Sequence, residues 1–281
     1  MKDSRVIKIS DVQLWLASPA SFTDTDWQML EAVLDADEKA RAGNFQIQAD
    51  RQAYVLAHAV RRIALGEELK VSPSRLVFSS EPSGKPTLIY PRCQGLGFSH
   101  AHTRGSVVFA LSRESVLGVD IEAHQPLQER ESLLQPFLSQ TEEFAAPLGQ
   151  PPLERESDMQ AKFFFHWTAL EAFWKAAGTG LSASNPRVGF ERTRAGVYRA
   201  VLSGDAALPL ARWVIAVTAP EGYSISLAVE SPDTRVFTRR LTGHSLKGPG
   251  MFDPASFLPR PERLRAGTVP RLNPIRLLEK I

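Results

Sequence analysis

The chain has 281 residues, a formal net charge of +2 and 43% hydrophobic residues, a composition typical of a globular protein with one or two domains. Its single cysteine, Cys93, excludes an internal disulfide framework and a CxxC zinc site. The N-terminus lacks a signal peptide's apolar stretch, and no run of about 18 apolar residues occurs. We therefore expect a cytoplasmic protein without a transmembrane helix. The mildly basic balance does not by itself indicate a nucleic-acid partner.

Helical spacing of apolar residues predicts two helices near the N-terminus, at about 25–42 and 49–65. Gly66 is the expected end of the second helix. This helix also has a separate, largely polar face, which we expect to be a solvated edge of the molecule. That face consists of Arg51, Val55, His58 and Arg62.

Short β-rich runs predict two groups of strands, one at about 76–122 and the other at about 187–230. Between them lie a loop-rich stretch at 123–158 and a helix at about 159–177, which Gly178 ends. Helices followed by strands, twice over, indicate an α+β protein with two comparable halves.

We expect these halves to span 1–118 and 119–231. The composition then shifts to Arg, Lys and Pro, so residues 232–281 are predicted to form an extended or partly disordered C-terminal extension. This extension either wraps the surface or binds acidic or phosphate groups.

An acidic pair lies in the last strand of the first group, in the segment LGVDIEAH. Alternate residues of a strand share a face, so Asp120 and Glu122 point the same way and Ile121 points away from them. Neighbouring carboxylates repel each other unless a cation or a shared proton relieves them. The pair indicates either a site for a hard cation such as Mg²⁺ or a solvated strand end.

The helix that contains HWTALEAFWKAAGTGL is apolar on every face, yet Glu171 and Lys175 stand in the middle of it. Beside them runs a continuous apolar seam of Phe163, Trp167, Leu170 and Trp174. Burying a carboxylate and an ammonium costs more in desolvation than an exposed ion pair contributes. The two charges therefore indicate function rather than stability.

Further candidate ligands lie in the first half. His100 and His102 share a strand face in FSHAHTRGS; they suit phosphate binding, since a zinc site lacks a third soft ligand. Lys85, in the stiff turn SGKPTL, is either a phosphate ligand or an ordinary turn lysine. The P-loop, GxGxxG and GxSxG motifs are absent. Together, acidic ligands, scattered cations and a buried acid favour metal-assisted phosphoryl or nucleotidyl chemistry.

In combination, these motifs resemble the Sfp-type 4′-phosphopantetheinyl transferases. That family carries a GVD segment followed later by W-[ST]-x-K-E-[AS]-x-x-K. Here GVDIE at 118–122 is followed by WTALEAFWK at 167–175. GKP at 84–86, SH at 99–100 and the ADR segment around Arg51 support the resemblance, which covers most of the chain.

The resemblance implies a pseudo-twofold α+β fold, in which each half is a small antiparallel sheet packed with helices and coenzyme A binds between the halves. It implies an enzyme that transfers 4′-phosphopantetheine from coenzyme A to a serine of an apo acyl or peptidyl carrier protein and releases 3′,5′-ADP. Such carriers serve fatty acid, polyketide or nonribosomal peptide synthesis. A monomer without a membrane or nucleic-acid partner is expected, with carrier recognition at about 124–144.

The resemblance also assigns residue roles. The implied Mg²⁺ ligands are Asp120, Glu122 and Glu171. Glu171 would also act as the base for the carrier serine, Lys175 would stabilise the phosphate under attack, and His100 would assist at the phosphate. Implied coenzyme A contacts are Lys39, Arg41, Arg51, Lys85, Pro86, Ser99, His100 and Lys175.

One position departs from the family pattern. Leu170 stands where the family usually has Lys, and the helical pattern puts it on the apolar seam. Because the implied metal ligands and Lys175 are intact, we expect activity to be retained. Three alternatives stay open: a relative that binds carrier or coenzyme A without turnover, another metal-dependent nucleotide phosphotransferase or hydrolase, and an interaction protein that acts through its basic extension.

Overall fold

The computed structural model describes residues 11–80, 86–113, 115–126, 156–182, 185–202 and 209–246. Over these residues the chain is a mixed α+β protein, which confirms the predicted fold class. The helices within these ranges are too short or too polar to cross a membrane.

The helices differ from the predicted ones at two points. They are α1 Asp24–Ala32, α2 Ala36–Gly43, α3 Gln48–Leu69, α4 Glu156–Ala177 and the short α5 Gly243–Leu246. The predicted first helix is divided because Asp35 begins a new one: its side chain accepts the Glu38 N–H, and the Glu38 side chain accepts the Asp35 N–H. Gly66 does not end α3, which continues to Leu69 and closes at Lys70 in the left-handed region.

All of the predicted strands are present, and the first and last strands of the described residues were not predicted. In chain order the strands are β1 Asp11–Ala17, β2 Val77–Ser80, β3 Pro86–Tyr90, β4 Leu96–Thr103, β5 Ser106–Arg113, β6 Gly118–Ala123, β7 Val188–Arg194, β8 Val197–Leu202, β9 Trp213–Val217, β10 Tyr223–Val229 and β11 Arg235–Leu241. The first sheet has the order β11-β1-β5-β4 and the second the order β6-β10-β9-β8-β7, while β2 and β3 form a separate hairpin.

The prediction of an extended or partly disordered C-terminal extension is wrong for residues 235–246. Residues 235–241 form β11, which pairs in parallel with β1, with Asp11 opposite Arg235 and Ala17 opposite Leu241. Helix α5 follows, and its Leu246 is buried in the core of the first half. Residues 247–281, like the loop at 127–155, lie outside the described residues.

The two sheets and the two long helices form four layers, in the order α3, first sheet, second sheet, α4. Strand alternation produces this arrangement. In β1, Trp15 packs in the α3 core, whereas Leu14 and Leu16 pack between the sheets. In β10, Leu227 faces the first sheet and Ala228 faces α4. Each sheet is therefore buried on both faces.

Strands β4 and β6 contact each other where the two sheets meet. Two side-chain hydroxyls of β4 join them: the Val119 N–H donates to Ser99 Oγ at 3.1 Å, and the Ala123 N–H donates to Thr103 Oγ1 at 3.3 Å. The acceptors are four residues apart on β4 and the donors four apart on β6. The hydroxyls thus take the place that carbonyls have in an ordinary ladder.

Candidate active site

The glycine of GVDIE lets β6 lie directly against α4. A Cβ at Gly118 would stand 2.1 Å from the Ala172 carbonyl oxygen and 2.5 Å from the Ala176 nitrogen, so any side chain would force the strand and helix apart. Ile121 packs between the sheets, as the alternation predicts. Asp120 is therefore directed toward α4.

Helix α4 presents one polar stripe to β6 and β10. Thr168, Glu171 and Lys175 follow one another at i, i+3 and i+7, which places them on one face of the helix. The Thr168 and Ser226 hydroxyls are 2.8 Å apart, and both side chains are fully buried. Leu170 is 2% exposed in the core between α4 and the second sheet, which confirms its predicted place on the apolar seam.

Lys175 reaches across to the strand. Its Nζ donates to Asp120 Oδ1 at 2.6 Å. Burial opposes the charge of Lys175, but Asp120 and Glu171 outweigh that effect and raise its pKa. Burial raises the pKa of Asp120, against the opposing influence of Lys175. Asp120 Oδ2 is buried without a hydrogen-bond partner among the described residues.

Glu171 has a strongly perturbed carboxyl group. Burial raises its pKa to about 7, and the negative charges of Asp120 and Glu122 act in the same direction against the attraction of Lys175. A carboxyl group poised near neutrality suits a general base. Glu122, the third carboxylate, accepts a hydrogen bond from Thr103 Oγ1 at 3.0 Å.

These carboxylates suit a hard divalent cation by the chemistry of their donor atoms and by the unpartnered oxygen of Asp120. Within the described ranges, however, no three His, Cys, Asp or Glu side chains stand close enough together to hold a metal ion. The ammonium of Lys175 supplies the positive charge beside Asp120 in this structure. The triad of Asp120, Glu122 and Glu171 stays a prediction.

His100 lies on β4 in the first half, close to His58 and Arg61 of α3. Its ring centroid lies 6.3 Å from that of His58. Burial lowers the pKa of His100 well below its usual value, and the charge of Arg61 adds to this, as do smaller contributions from Lys175 and His102. The neutral His100 ring retains one N–H, which is available in principle to donate to a phosphate oxygen.

The remaining predicted coenzyme A contacts stay predictions. Arg51 forms a 2.8 Å ion pair with Glu31, and the Arg41 guanidinium lies 5.8 Å from the ring centroid of Tyr54. Lys39 is exposed and Pro86 is half-buried. Ser99 Oγ on β4 accepts a hydrogen bond from the Val119 N–H on β6. Lys85 lies outside the described residues.

The prediction of a solvated edge on α3 is wrong. Arg62 is completely buried, and it donates to Glu38, to Asp35 and to the carbonyls of Pro73 and Leu76. The His58 ring lies 2.9 Å from Glu38 and stacks on Tyr54 at 4.1 Å between centroids. The partners come from another helix and a loop, so helical spacing within α3 could not reveal them.

Comparison with known proteins assigns the class. The sequence model of the 4′-phosphopantetheinyl transferase superfamily matches residues 116–228, which contain the carboxylates and Lys175. The 4′-phosphopantetheinyl transferase HetI of Nostoc sp. is 32% identical over 61% of this chain and 70% of HetI. Protein slr0495 of Synechocystis sp., provisionally named as such a transferase, is 31% identical over 60% of this chain and 66% of its own length.

The 4′-phosphopantetheinyl transferase Sfp of Bacillus subtilis is 25% identical over 53% of this chain and 62% of Sfp. The aligned segments thus span about two thirds of these relatives' lengths. The chain belongs to the 4′-phosphopantetheinyl transferase superfamily, which confirms the predicted family and enzyme class.

Proposed function

We propose that this protein transfers the 4′-phosphopantetheine arm of coenzyme A to a serine of an apo acyl or peptidyl carrier protein. The observation that carries the proposal is the meeting of Asp120 with the Glu171–Lys175 stripe of α4, in the segment that matches the family. A half-buried base with a pKa of about 7 beside a half-buried ammonium suits attack by a hydroxyl group on a phosphate.

In the proposed reaction, Lys175 on α4 and His100 on β4 bind the phosphates of coenzyme A from the two halves of the molecule. Glu171 takes the proton of the carrier serine, directly or through water. The serine oxygen then bonds to the phosphorus of phosphopantetheine, and the bond to the 3′,5′-ADP oxygen breaks. That oxygen leaves with the electron pair, and Lys175 gives it a proton.

Asp120, Glu122 and Glu171 are the residues that would hold a Mg²⁺ ion, which when bound would neutralise charge on the pyrophosphate. Positioning by the two halves lowers the barrier further, because the carrier serine and the phosphate are held at one place. Arg51, Arg41 and Lys39, which are exposed or half-buried, are the proposed contacts for the nucleotide end of coenzyme A.

The test is to incubate the protein with coenzyme A, Mg²⁺ and a panel of apo carriers and to weigh the carriers. We expect a gain of one phosphopantetheine group, which is lost with EDTA and with Asp120→Ala. Coenzyme A binding without a mass gain on any carrier would support the non-catalytic alternative. Release of an adenosine phosphate without a carrier would favour a nucleotide phosphotransferase or hydrolase.

A further inference from the structure

The Thr168 and Ser226 hydroxyls form a hydrogen bond between α4 and β10 that solvent does not reach. Both residues are 0% exposed, and the two oxygens are 2.8 Å apart. Thr168 Oγ1 also donates to the Phe165 carbonyl at 3.0 Å, one turn earlier in the same helix. Because a hydroxyl has one hydrogen, Ser226 donates to Thr168. The bond therefore joins the helix to the sheet by a directional contact.

This bond lies beside the carboxylates of the candidate active site. Ser226 of β10 stands directly opposite Asp120 of β6 in the antiparallel pairing. Opposed side chains lie on one face of a sheet with their Cβ atoms about 5 Å apart. Ala228, two residues further along β10, packs in the core with α4, so this is the face that meets the helix. Thr168 precedes Glu171 by one turn on the polar stripe.

The neighbouring contact between α4 and β6 is apolar. Gly118 lies against the backbone of Ala172 and Ala176, which sets how closely the strand and the helix approach. Apolar attraction is not directional, whereas a hydrogen bond restricts both distance and angle. The hydroxyl pair can therefore fix how far α4 slides along the sheet, and with it the place of Lys175 Nζ relative to Asp120.

We propose that Thr168 and Ser226 are positioning residues that hold Glu171 and Lys175 in register with Asp120. This inference rests on the proposed function, in which Glu171 acts on the carrier serine and Lys175 on the phosphate. Displacing a catalytic group by about 1 Å can lower a rate by about 100-fold. A buried bond that never touches the substrate can therefore control kcat.

A rival explanation is that the pair only stabilises the fold, because any buried hydroxyl needs a partner. The chain offers a matched control in the first half. Ser112 of β5 is 1% exposed, and its Oγ donates to the Asp11 carbonyl of β1 at 2.7 Å. Ser226→Ala and Ser112→Ala each delete a buried serine hydroxyl that joins two elements, but only the first of these bonds reaches α4. Thr168→Ser keeps the hydroxyl of the pair.

The experiment measures phosphopantetheine transfer by the full-length variants, corrected for the folded fraction, together with their stability in urea. We expect Ser226→Ala to lower kcat about tenfold with little change in the KM for coenzyme A, since most of the proposed contacts lie in the first half. Ser112→Ala should lose similar stability and keep the wild-type kcat, and Thr168→Ser should stay active. Thr168→Val provides the same comparison if Ser226→Ala does not fold. The two changes combined should lower kcat no further than the more damaging one, because both delete one bond.

Lysine labelling provides a readout that does not need transfer. In the wild type, contact with Asp120 should protect Lys175 from acetic anhydride, and peptide mapping should show faster labelling in Ser226→Ala but not in Ser112→Ala. Unchanged kcat and labelling in Ser226→Ala, equal kcat losses in the two alanine variants, or additive losses in the combined variant would overturn the inference. If the wild type modifies no carrier, the proposed function fails, whereas the labelling rates still decide whether the pair positions Lys175.

Discussion

The two halves each bury a cluster of opposite charges, and the clusters differ in how completely those charges are matched. In the first half, Glu38 accepts from His58 and Arg61 through one oxygen and from Arg62 through the other. Arg62 makes further hydrogen bonds to Asp35 and to two carbonyls. In the second half, three carboxylates share the positive charge of Lys175 alone. Each cluster has one buried atom without a hydrogen-bond partner within the described ranges, Arg61 Nε in the first and Asp120 Oδ2 in the second.

The pKa values of one carboxyl group in each cluster differ in the same way. Burial opposes ionisation of Glu38, yet the hydrogen bond from His58 and the charge of Arg62 together lower its pKa to about 2. The pKa of Glu171 moves the other way, to about 7. A buried ion pair alone therefore does not indicate a functional site, whereas an excess of unmatched charge does. The first cluster is structural, and the second is the candidate active site.

The largest effect is expected from Glu171→Gln. Loss of the proposed base and metal ligand should lower kcat for carrier modification by at least about 100-fold. The melting temperature should not fall, because the change removes a half-buried negative charge that Asp120 and Glu122 repel. Carrier mass spectrometry and calorimetry check both parts. Glu191→Gln, at an exposed pair with Arg199, is the matched control and should change neither. Full activity in Glu171→Gln would show that the base is wrongly assigned.

The same substitution in the structural cluster should act on stability. Glu38→Gln leaves Arg61 and Arg62 buried beside a neutral group, and we expect a loss of about 3–5 kcal/mol in the free energy of unfolding. Urea denaturation measures it. Glu31→Gln breaks the half-exposed pair with Arg51 and should cost at most about 1 kcal/mol. Equal effects of the two changes would contradict the structural role of the Glu38 cluster.

Stability should also depend on pH in opposite senses in metal-free buffer. Because the folded pKa of Glu171 lies above its usual 4.5, the wild type should lose stability relative to Glu171→Gln as pH rises from about 4.5 to 7. Because the folded pKa of Glu38 lies below 4.5, the wild type should lose its advantage over Glu38→Gln as pH falls from 4.5 toward 2. Denaturation midpoints across this range test both slopes, and parallel curves would refute the distinction.

The smallest effect on catalysis is expected at Leu170. Leu170→Met should cost less than about 1.5 kcal/mol of stability. Leu170→Lys should cost more, because an ammonium would enter an apolar core, and the transfer rate of the folded fraction should stay unchanged. An increased rate in the lysine variant would show that this position faces the cleft after all. Steady-state rates corrected for the folded fraction distinguish these results.

Much of the fold could be predicted because local patterns dictate it. The strands from β2 to β10 follow alternation and turn residues, and α4 follows its apolar seam. Strands β1 and β11 were missed for different reasons. Residues 11–17 are short and apolar, whereas 235–241 carry three arginines and are mostly exposed at the sheet edge, so their strand character depends on pairing with β1. Local pattern contains no information about a partner more than 200 residues away.

The same limit applies to the site. The shared face of Asp120 and Glu122 could be predicted from alternation, and the stripe of Glu171 and Lys175 from helical spacing. The hydrogen bond from Thr103 to Glu122 could not, because it depends on the contact of β4 with β6, which belong to different sheets. The ion pairs of Arg62 with Asp35 and Glu38 also join different parts of the chain, so they could not be predicted from local spacing either. Long-range contacts determine which polar residues are structural and which remain available for chemistry.

The pairing of β11 with β1 has a consequence for the order in which the protein can fold during synthesis. The first sheet lacks this edge strand until residues 235–241 have left the ribosome, although every other strand of that sheet precedes residue 114. Contacts of such sequence separation form late and slowly. The first sheet of the nascent chain therefore stays incomplete, with the edge of β1 unpaired, until the second half has been synthesised.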